Sequence, residues 1–209
     1  MEKFVIDVNF FVNLEIKSGF GNASKDVIVG FTSLAKKLKK ENRAEFFMPP
    51  RIVDELVGFF NQENFIKDFF SVITIKSPDL SKVQFSAGVF YQLVNEMRER
   101  SYRGLKVAEE SVIKGGKEMI GGKELNKIEF EKKIGGTIKT LRERHRQATR
   151  FNFLDSVADL DLIVLTKEID GFLVSSDGGL IRWGRVFGIK EVTPSLFRER
   201  LFSLLTVKG

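Results

Sequence analysis

The chain begins with an apolar stretch that ends in an acid, Phe4-Val5-Ile6-Asp7. The same arrangement returns near the other end, where Phe172-Leu173-Val174-Ser175-Ser176 leads into Asp177. Between them, Leu154-Asp155-Ser156-Val157-Ala158-Asp159 places two more acids at the start of a helical pattern. Ligands of open parallel α/β sheets bind at the carboxyl ends of the strands. We therefore expect these four aspartates to meet at one edge of a sheet.

Apolar runs rich in β-branched or aromatic residues predict five strands, and helical periodicity predicts helices between them. This alternation predicts an α/β fold whose central parallel sheet is covered by helices on both faces. The predicted strands are 4–8, 45–48, 71–76, 172–176 and 190–193, and the predicted helices are about 24–40, 50–60, 61–70, 155–169, 178–187 and 195–205.

Residues 83–150 break this alternation and are typical of a hairpin of two long helices. Glycine pairs are expected to form its loose tip and to fray or kink its second helix. The helices are predicted at about 83–113 and 127–150, with tip glycines Gly115-Gly116 and Gly121-Gly122 and a kink at Gly135-Gly136. The predicted organisation is one α/β domain formed by 1–82 and 151–209, with the hairpin 83–150 inserted into it.

Composition limits the chemistry of the acidic edge. The chain has no cysteine and one histidine, His145, which excludes disulfides, cysteine-ligated zinc, iron–sulfur clusters and thiol catalysis and argues against a Ser-His-Asp triad. Clustered carboxylates repel one another unless protons or divalent metal neutralise them. Since hard oxygen ligands favour Mg²⁺, Mn²⁺ or Ca²⁺, the aspartates predict a Mg²⁺ or Mn²⁺ site.

The individual acids have alternative interpretations. Asp155 and Asp159 are four residues apart on the predicted helix and should point the same way, although Asp155 could instead cap the helix. Asp161 should lie about 200° around the axis from Asp159 and outside the site unless the helix starts irregularly. Asp177 by itself could be a turn residue.

Two further polar residues are candidates for the same edge. Asn9 lies two residues after the first acid and could hold a metal-bound water or a phosphate. Glu55 could reach the edge from the first turns of its helix, and a solvated helix residue is an equally good interpretation.

Positive charge is concentrated in the hairpin. The net charge is +6, and residues 91–150 hold fifteen lysines and arginines against nine glutamates, so the remainder of the chain is neutral. Such segregation indicates a polyanionic partner, and a solvated pair of lysine-rich helices is the alternative.

One face of the second hairpin helix carries a basic stripe. Helical spacing places Lys139, Arg142, Arg146 and Arg150 together, and puts His145 on another face with apolar neighbours as a packing residue. Arginine suits phosphate oxygens, so the stripe predicts contact with a nucleic-acid backbone; ion pairing between subunits is the alternative. The predicted RNA-binding residues are Lys139, Arg142, Arg144, Arg146, Arg150, Arg98 and Arg103, with Arg100 and Lys106 beside them on the first helix.

The first residues, Met1-Glu2-Lys3, lead directly into a predicted strand and lack the pattern of a signal peptide or a membrane span. We expect a cytoplasmic protein with no membrane association.

The spacing of the acids resembles that of the PIN-domain nucleases, with Asp7 after the first strand, an acid on a mid-chain helix, and Asp159 followed by Asp177 after a strand. The stretches 155–161 and 173–183, together with 141–148 before them, are similar to the small protein-only branch, RNA-free ribonuclease P. The resemblance covers nearly the whole chain and is most specific from about 139 to 190. It implies a PIN-like three-layer domain with a helical hairpin inserted before the third acid.

This resemblance also implies a function. It implies an endoribonuclease that removes the 5′ leader of precursor tRNA with Mg²⁺ or Mn²⁺, leaving a 5′-phosphate and a 3′-hydroxyl. It implies homo-oligomers, in which dimers assemble through the hairpin into a dodecamer. Asn9 departs from the small hydroxyl residue common in PIN proteins, and Glu55 matches the family's glutamate only loosely. By the same resemblance the metal-site residues are Asp7, Asp155, Asp159 and Asp177, with Asp161 as a fifth acid.

Other functions fit parts of this pattern. A toxin-like PIN endoribonuclease would cut other RNAs, but minimal toxins lack a long basic hairpin. A non-catalytic RNA-binding partner would not need four acids. A haloacid-dehalogenase-like phosphatase with Asp7 as nucleophile would need a second acid two residues later, where Asn9 stands.

Overall fold

A computed structural model describes residues 1–15, 18–60, 64–120, 124–150, 154 and 156–206. The chain divides into two compact units. The sheet unit comprises Met1–Phe85 and Leu154–Gly209, and the hairpin unit comprises Ser86–Phe153.

Five parallel strands form the centre of the sheet unit, in the order β3-β2-β1-β4-β5. All five predicted strands are confirmed, and the α/β prediction with them. The order reverses between β1 and β4, so this is the topological switch point at which such sheets bind ligands. The strands are β1 (Glu2–Ile6), β2 (Ala44–Met48), β3 (Ile73–Ile75), β4 (Phe172–Val174) and β5 (Lys190–Val192).

Helices follow the strands much as the periodicity predicts, and the bounds of α2 and α3 agree with the prediction. A short helix after β1 and a single 3₁₀ turn at Leu80–Lys82 were not predicted. The α-helices are α1 (Asn9–Val12), α2 (Ser24–Lys40), α3 (Pro50–Phe60), α4 (Asn64–Phe70), α5 (Ala87–Met119), α6 (Lys127–Arg150), α7 (Val157–Glu168), α8 (Gly178–Val186) and α9 (Pro194–Thr206).

A cluster of phenylalanines holds the helices to the sheet. The ring of Phe4 on β1 lies 5.9 Å from that of Phe46 on β2 and 5.0 Å from that of Phe197 on α9. Phe31 on α2 lies 5.1 Å from Phe46, and all four side chains are fully buried. Burying each ring stabilises the fold by roughly 1.5–3 kcal/mol, so β1 is firmly anchored up to the residue where the site begins.

The hairpin unit consists of α5 packed against α6. Small residues on α5 allow a close approach, since a Cβ added to the buried Gly104 would lie 2.8 Å from Nε2 of His145. The first helix runs to Met119, so the prediction that it ends before Gly115-Gly116 is wrong.

The predicted kink at Gly135-Gly136 is also wrong. Helix α6 is continuous through both residues, and the Thr140 hydroxyl donates a 3.0 Å hydrogen bond to the Gly136 carbonyl inside it. Glycine has a low helix propensity, and packing against α5 compensates for it, because most helical stability in proteins comes from packing. The pair Gly121-Gly122 lies outside the described residues.

None of the helices in the described ranges combines the length and the apolar character that crossing a bilayer would require.

Candidate active site

Asp7 stands directly after β1 and is buried, with 2% of its surface exposed. Its backbone N–H donates to the Val174 carbonyl at 3.0 Å, which extends the β1–β4 pairing to the sheet edge. Its Oδ2 accepts hydrogen bonds from Ser175 Oγ at 2.6 Å and Asn9 Nδ2 at 3.1 Å. Burial raises the pKa of Asp7 to about 6. The hydrogen bonds from Ser175 and from the side chain and backbone of Asn9 oppose that rise, and the charge of Asp177 adds to it.

Asp177 lies at the end of the neighbouring strand and caps α8. Its Oδ1 accepts a hydrogen bond from the Leu180 N–H at 2.7 Å, and its own N–H donates to Ser175 Oγ at 3.0 Å. Ser175 therefore connects the two acids, since its hydroxyl donates to Asp7 and accepts from the backbone of Asp177. Capping uses one oxygen of the Asp177 carboxylate, which leaves the other oxygen for a ligand.

Asp159 lies in the first turn of α7, a helix that packs against β1 and β4. Ser156 caps this helix by accepting a hydrogen bond from the Asp159 N–H at 3.0 Å. The helix begins at Val157, two residues later than predicted, because Ser156 supplies the capping hydroxyl. The prediction for Asp155 falls outside the described residues.

Glu55 on α3 is brought close to Asp159. The pKa of Glu55 is raised mainly by partial burial, and the negative charge of Asp159 raises it further. The two carboxylates therefore repel each other across the contact between α3 and α7. Glu55 itself is exposed, and its place at the edge of the site stays a prediction.

Asp161 has a different environment from the other acids. It is buried, and its Oδ2 forms an ion pair with Nη1 of Arg51 at the start of α3. This agrees with the helical geometry, which places Asp161 away from Asp159.

The described acids form two mutually repelling pairs, Asp7 with Asp177 and Glu55 with Asp159. Among the described residues, no three acidic or histidine side chains converge closely enough to form a metal site by themselves. The available donors are nevertheless all carboxylate oxygens, and a hard divalent cation would relieve the repulsion within each pair. The chemistry of these donors thus suits a hard divalent cation, without distinguishing Mg²⁺ from Mn²⁺, although the described residues alone do not complete a metal site.

Sequence reasoning missed Ser175 and Arg51. Ser175 belongs to the predicted strand 172–176, and a hydroxyl two residues before an acid at a strand end is a usable signal of such a role. Arg51 stands four residues before Glu55, on the same side of α3, and this spacing was the only local hint of its place.

The predicted RNA-binding residues are divided between two environments in the hairpin unit. Lys139, Arg142 and Arg146 are exposed and line a shallow depression along α6, and Arg98 is exposed on α5. In the part of the chain that the structure describes, Lys139 and Arg142 have no acidic partner. Arg150 at the end of α6 is exposed as well.

Two other arginines connect the hairpin helices. Arg103 on α5 donates to the Ala148 carbonyl of α6 at 3.0 Å and to Glu96 at 3.0 Å. Arg144 on α6 forms an ion pair with Glu110 on α5 at 2.6 Å. These contacts fix the packing of α5 on α6 and leave the depression on α6 as the better candidate for phosphate contact.

Comparison with known proteins shows the family to which the chain belongs. The model of the PINc domain ribonuclease family matches residues 3–206. The chain is 36% identical to the RNA-free ribonuclease P of Thermodesulfovibrio yellowstonii, over 97% of this chain and 95% of that protein. It is 36% identical to that of Pyrococcus horikoshii, over 98% and 94%, and 34% identical to that of Thermococcus kodakarensis, over 97% and 96%.

Proposed function

Because this chain is an endoribonuclease that belongs to the PINc domain ribonucleases and, among them, to the RNA-free ribonuclease P family, we propose that it removes the 5′ leader of precursor tRNA by metal-dependent hydrolysis. One observation carries the proposal: Asp7 and Asp177 follow the two strands that flank the switch point. Both residues form hydrogen bonds with the Ser175 hydroxyl. An acidic pair at this position suits a reaction on a phosphodiester.

We propose Asp7, Asp155, Asp159 and Asp177 as the residues that hold Mg²⁺ or Mn²⁺. A bound divalent cation would activate water and neutralise charge on the scissile phosphate. Hydrogen bonds from Ser175 and Asn9 would hold the Asp7 carboxyl group in place at the sheet edge. The products would be tRNA with a 5′-phosphate and a leader with a 3′-hydroxyl.

The hairpin would supply the grip on RNA. A-form RNA is recognised through its phosphates and 2′-hydroxyls, and exposed arginine and lysine on one helix face suit that contact. We propose Lys139, Arg142, Arg146, Arg150 and Arg98 for this role. For Arg103 and Arg144 we propose support of the helix packing, with any RNA contact secondary to it.

Association of several copies is part of the same proposal. Helix α5 exposes apolar side chains that a monomer would leave in water, among them Tyr102 at 67% and Val112 at 73% exposure. Met97 and Leu105 lie on α5 as well, with more than half of their surface exposed. Such patches mark protein–protein contacts, so we propose homo-oligomers formed through the hairpin. That dimers assemble further into a dodecamer is proposed from the family resemblance alone. The proposed place of action is the cytoplasm.

The decisive experiment incubates the protein with a 5′-extended precursor tRNA in Mg²⁺, in Mn²⁺ and in EDTA, and maps the cut and its end groups. Asp159→Asn should abolish cleavage, while Asp54→Asn, an exposed carboxylate on α3, is the matched control and should retain it. Cleavage away from the leader junction would favour the toxin-like alternative. Binding without cleavage under any divalent ion would favour a non-catalytic partner.

A further inference from the structure

The contact between Arg51 and Asp161 joins α3 to α7 beside the proposed active site. The Asp161 side chain is 12% exposed and the Arg51 side chain is 59% exposed, so the arginine reaches in from solvent to neutralise a buried acid. Asp161 is therefore engaged by a cation of the protein itself. A buried carboxylate needs such a partner, because an uncompensated buried charge is strongly destabilising.

Two acids that repel each other lie on the same two helices. Glu55 stands one helical turn after Arg51 on α3, and Asp159 stands two residues before Asp161 on α7. Glu55 and Asp159 thus lie on the turns of α3 and α7 beside the ion pair, and the pKa of Glu55 is raised first by burial and then by the charge of Asp159. The ion pair between Arg51 and Asp161 would hold α3 against α7, whereas the carboxylates of Glu55 and Asp159 would push the next turn of α3 away.

We propose that Arg51 is a positioning residue, whose ion pair with Asp161 holds α3 against α7 so that Glu55 stays opposite Asp159. Asp161 is then the anchor of this pair and is not a fifth metal ligand. The inference rests on the proposed function, because Glu55 and Asp159 matter in this way only if the acidic edge is the reaction site.

A double-mutant cycle tests the coupling between Arg51 and Glu55. The variants are Arg51→Met, Glu55→Gln and both together, with Arg51→Lys as the conservative control. Arg51→Met should lower kcat about tenfold to a hundredfold with little change in KM, since small displacements of catalytic groups have effects of this size. Glu55→Gln should lower kcat when it is introduced into the wild type. It should change kcat less than about twofold when Arg51→Met is already present. Arg51→Lys should recover part of the loss.

A second comparison separates the anchor from a ligand. Asp161→Asn keeps an oxygen that Arg51 can bond, so it should change Mn²⁺ affinity less than about threefold, measured by direct titration without RNA. Asp159→Asn should weaken Mn²⁺ binding far more. If Arg51→Met does not fold, Arg51→Met with Asp161→Leu removes both charges and takes its place in the cycle.

Additive effects of Arg51 and Glu55 would overturn the proposal, and so would an Asp161→Asn variant that binds Mn²⁺ as poorly as Asp159→Asn. Wild-type protein that binds Mn²⁺ but leaves precursor tRNA intact would instead refute the proposed function. In that case the double-mutant cycle would be measured as Mn²⁺ affinity instead of kcat. Failure of the inference about Arg51 and failure of the proposed function would then still be distinguishable.

Discussion

Replacing Asp7 by asparagine should stabilise the metal-free protein at neutral pH while it removes the proposed activity. The reason is the environment of the carboxyl, which is buried and whose pKa is raised from 3.8 to about 6. The unfolded chain releases this proton near pH 4, whereas the folded protein keeps it until about pH 6. The folded state therefore binds the proton more tightly, and the free energy of unfolding falls as the pH rises through this range.

The size of the effect follows from the pKa difference. One pKa unit corresponds to about 1.4 kcal/mol, so forcing Asp7 to ionise in the folded protein costs about 3 kcal/mol at pH 7.5. Asparagine cannot ionise and avoids this penalty. For a chain of this length, a difference of about 3 kcal/mol corresponds to roughly 6–12 °C in the unfolding temperature.

The assay is urea and thermal unfolding of wild type and Asp7→Asn in EDTA, at pH 4 and at pH 7.5. The two proteins should differ little at pH 4, and the variant should be more stable at pH 7.5. Adding Mg²⁺ at pH 7.5 should narrow the gap, because the cation would bind the carboxylate of the folded wild type. Asp54→Asn is the control and should show no such pH-dependent difference. A gap that is the same at both pH values, or an Asp7→Asn variant less stable at pH 7.5, would refute the reasoning.

Three further outcomes are expected. Ser175→Ala removes a hydrogen bond that stabilises the Asp7 carboxylate, so the pH above which the protein binds Mn²⁺ should rise; an unchanged pH profile would contradict this. Lys139→Ala and Arg142→Ala should each weaken precursor tRNA binding and lower the slope of log affinity against log salt by about 1 in filter binding; unaltered slopes would remove these residues from the RNA contact. Leu105→Glu places a charge in an exposed apolar patch and should yield smaller assemblies in light scattering; an unaltered mass would exclude that patch from the interface.

The strands, and the positions of Asp7 and Asp177 after two of them, were accessible from sequence because their signals are local. Each strand is an apolar run, and the sequence itself shows that Asp7 and Asp177 follow two such runs. A parallel sheet then brings the carboxyl ends of adjacent strands together whatever the remaining details. Helix α2 was predicted with its bounds for the same reason, since its apolar spacing is uninterrupted.

The parts that sequence reasoning missed depend on distant contacts. Arg51 and Asp161 are 110 residues apart, so the local pattern around either one does not identify the other. The role of Ser175 depends on β4 lying beside β1, which is a matter of strand order. Gly135 and Gly136 mislead locally because the neighbouring helix, and not intrinsic propensity, decides whether α6 continues.

The strand order also explains where extra chain can be accommodated. Strand β3 is the outermost strand on its side, and β4 lies on the far side of β1, so the chain between them must pass both β2 and β1 before it can pair again. Lengthening a connection that is already long adds little entropic penalty, since that penalty grows only with the logarithm of its length. Within this family, gains and losses of whole helices should therefore accumulate in this one crossover, while the connection from β4 to β5, which holds only α8, stays nearly constant in length.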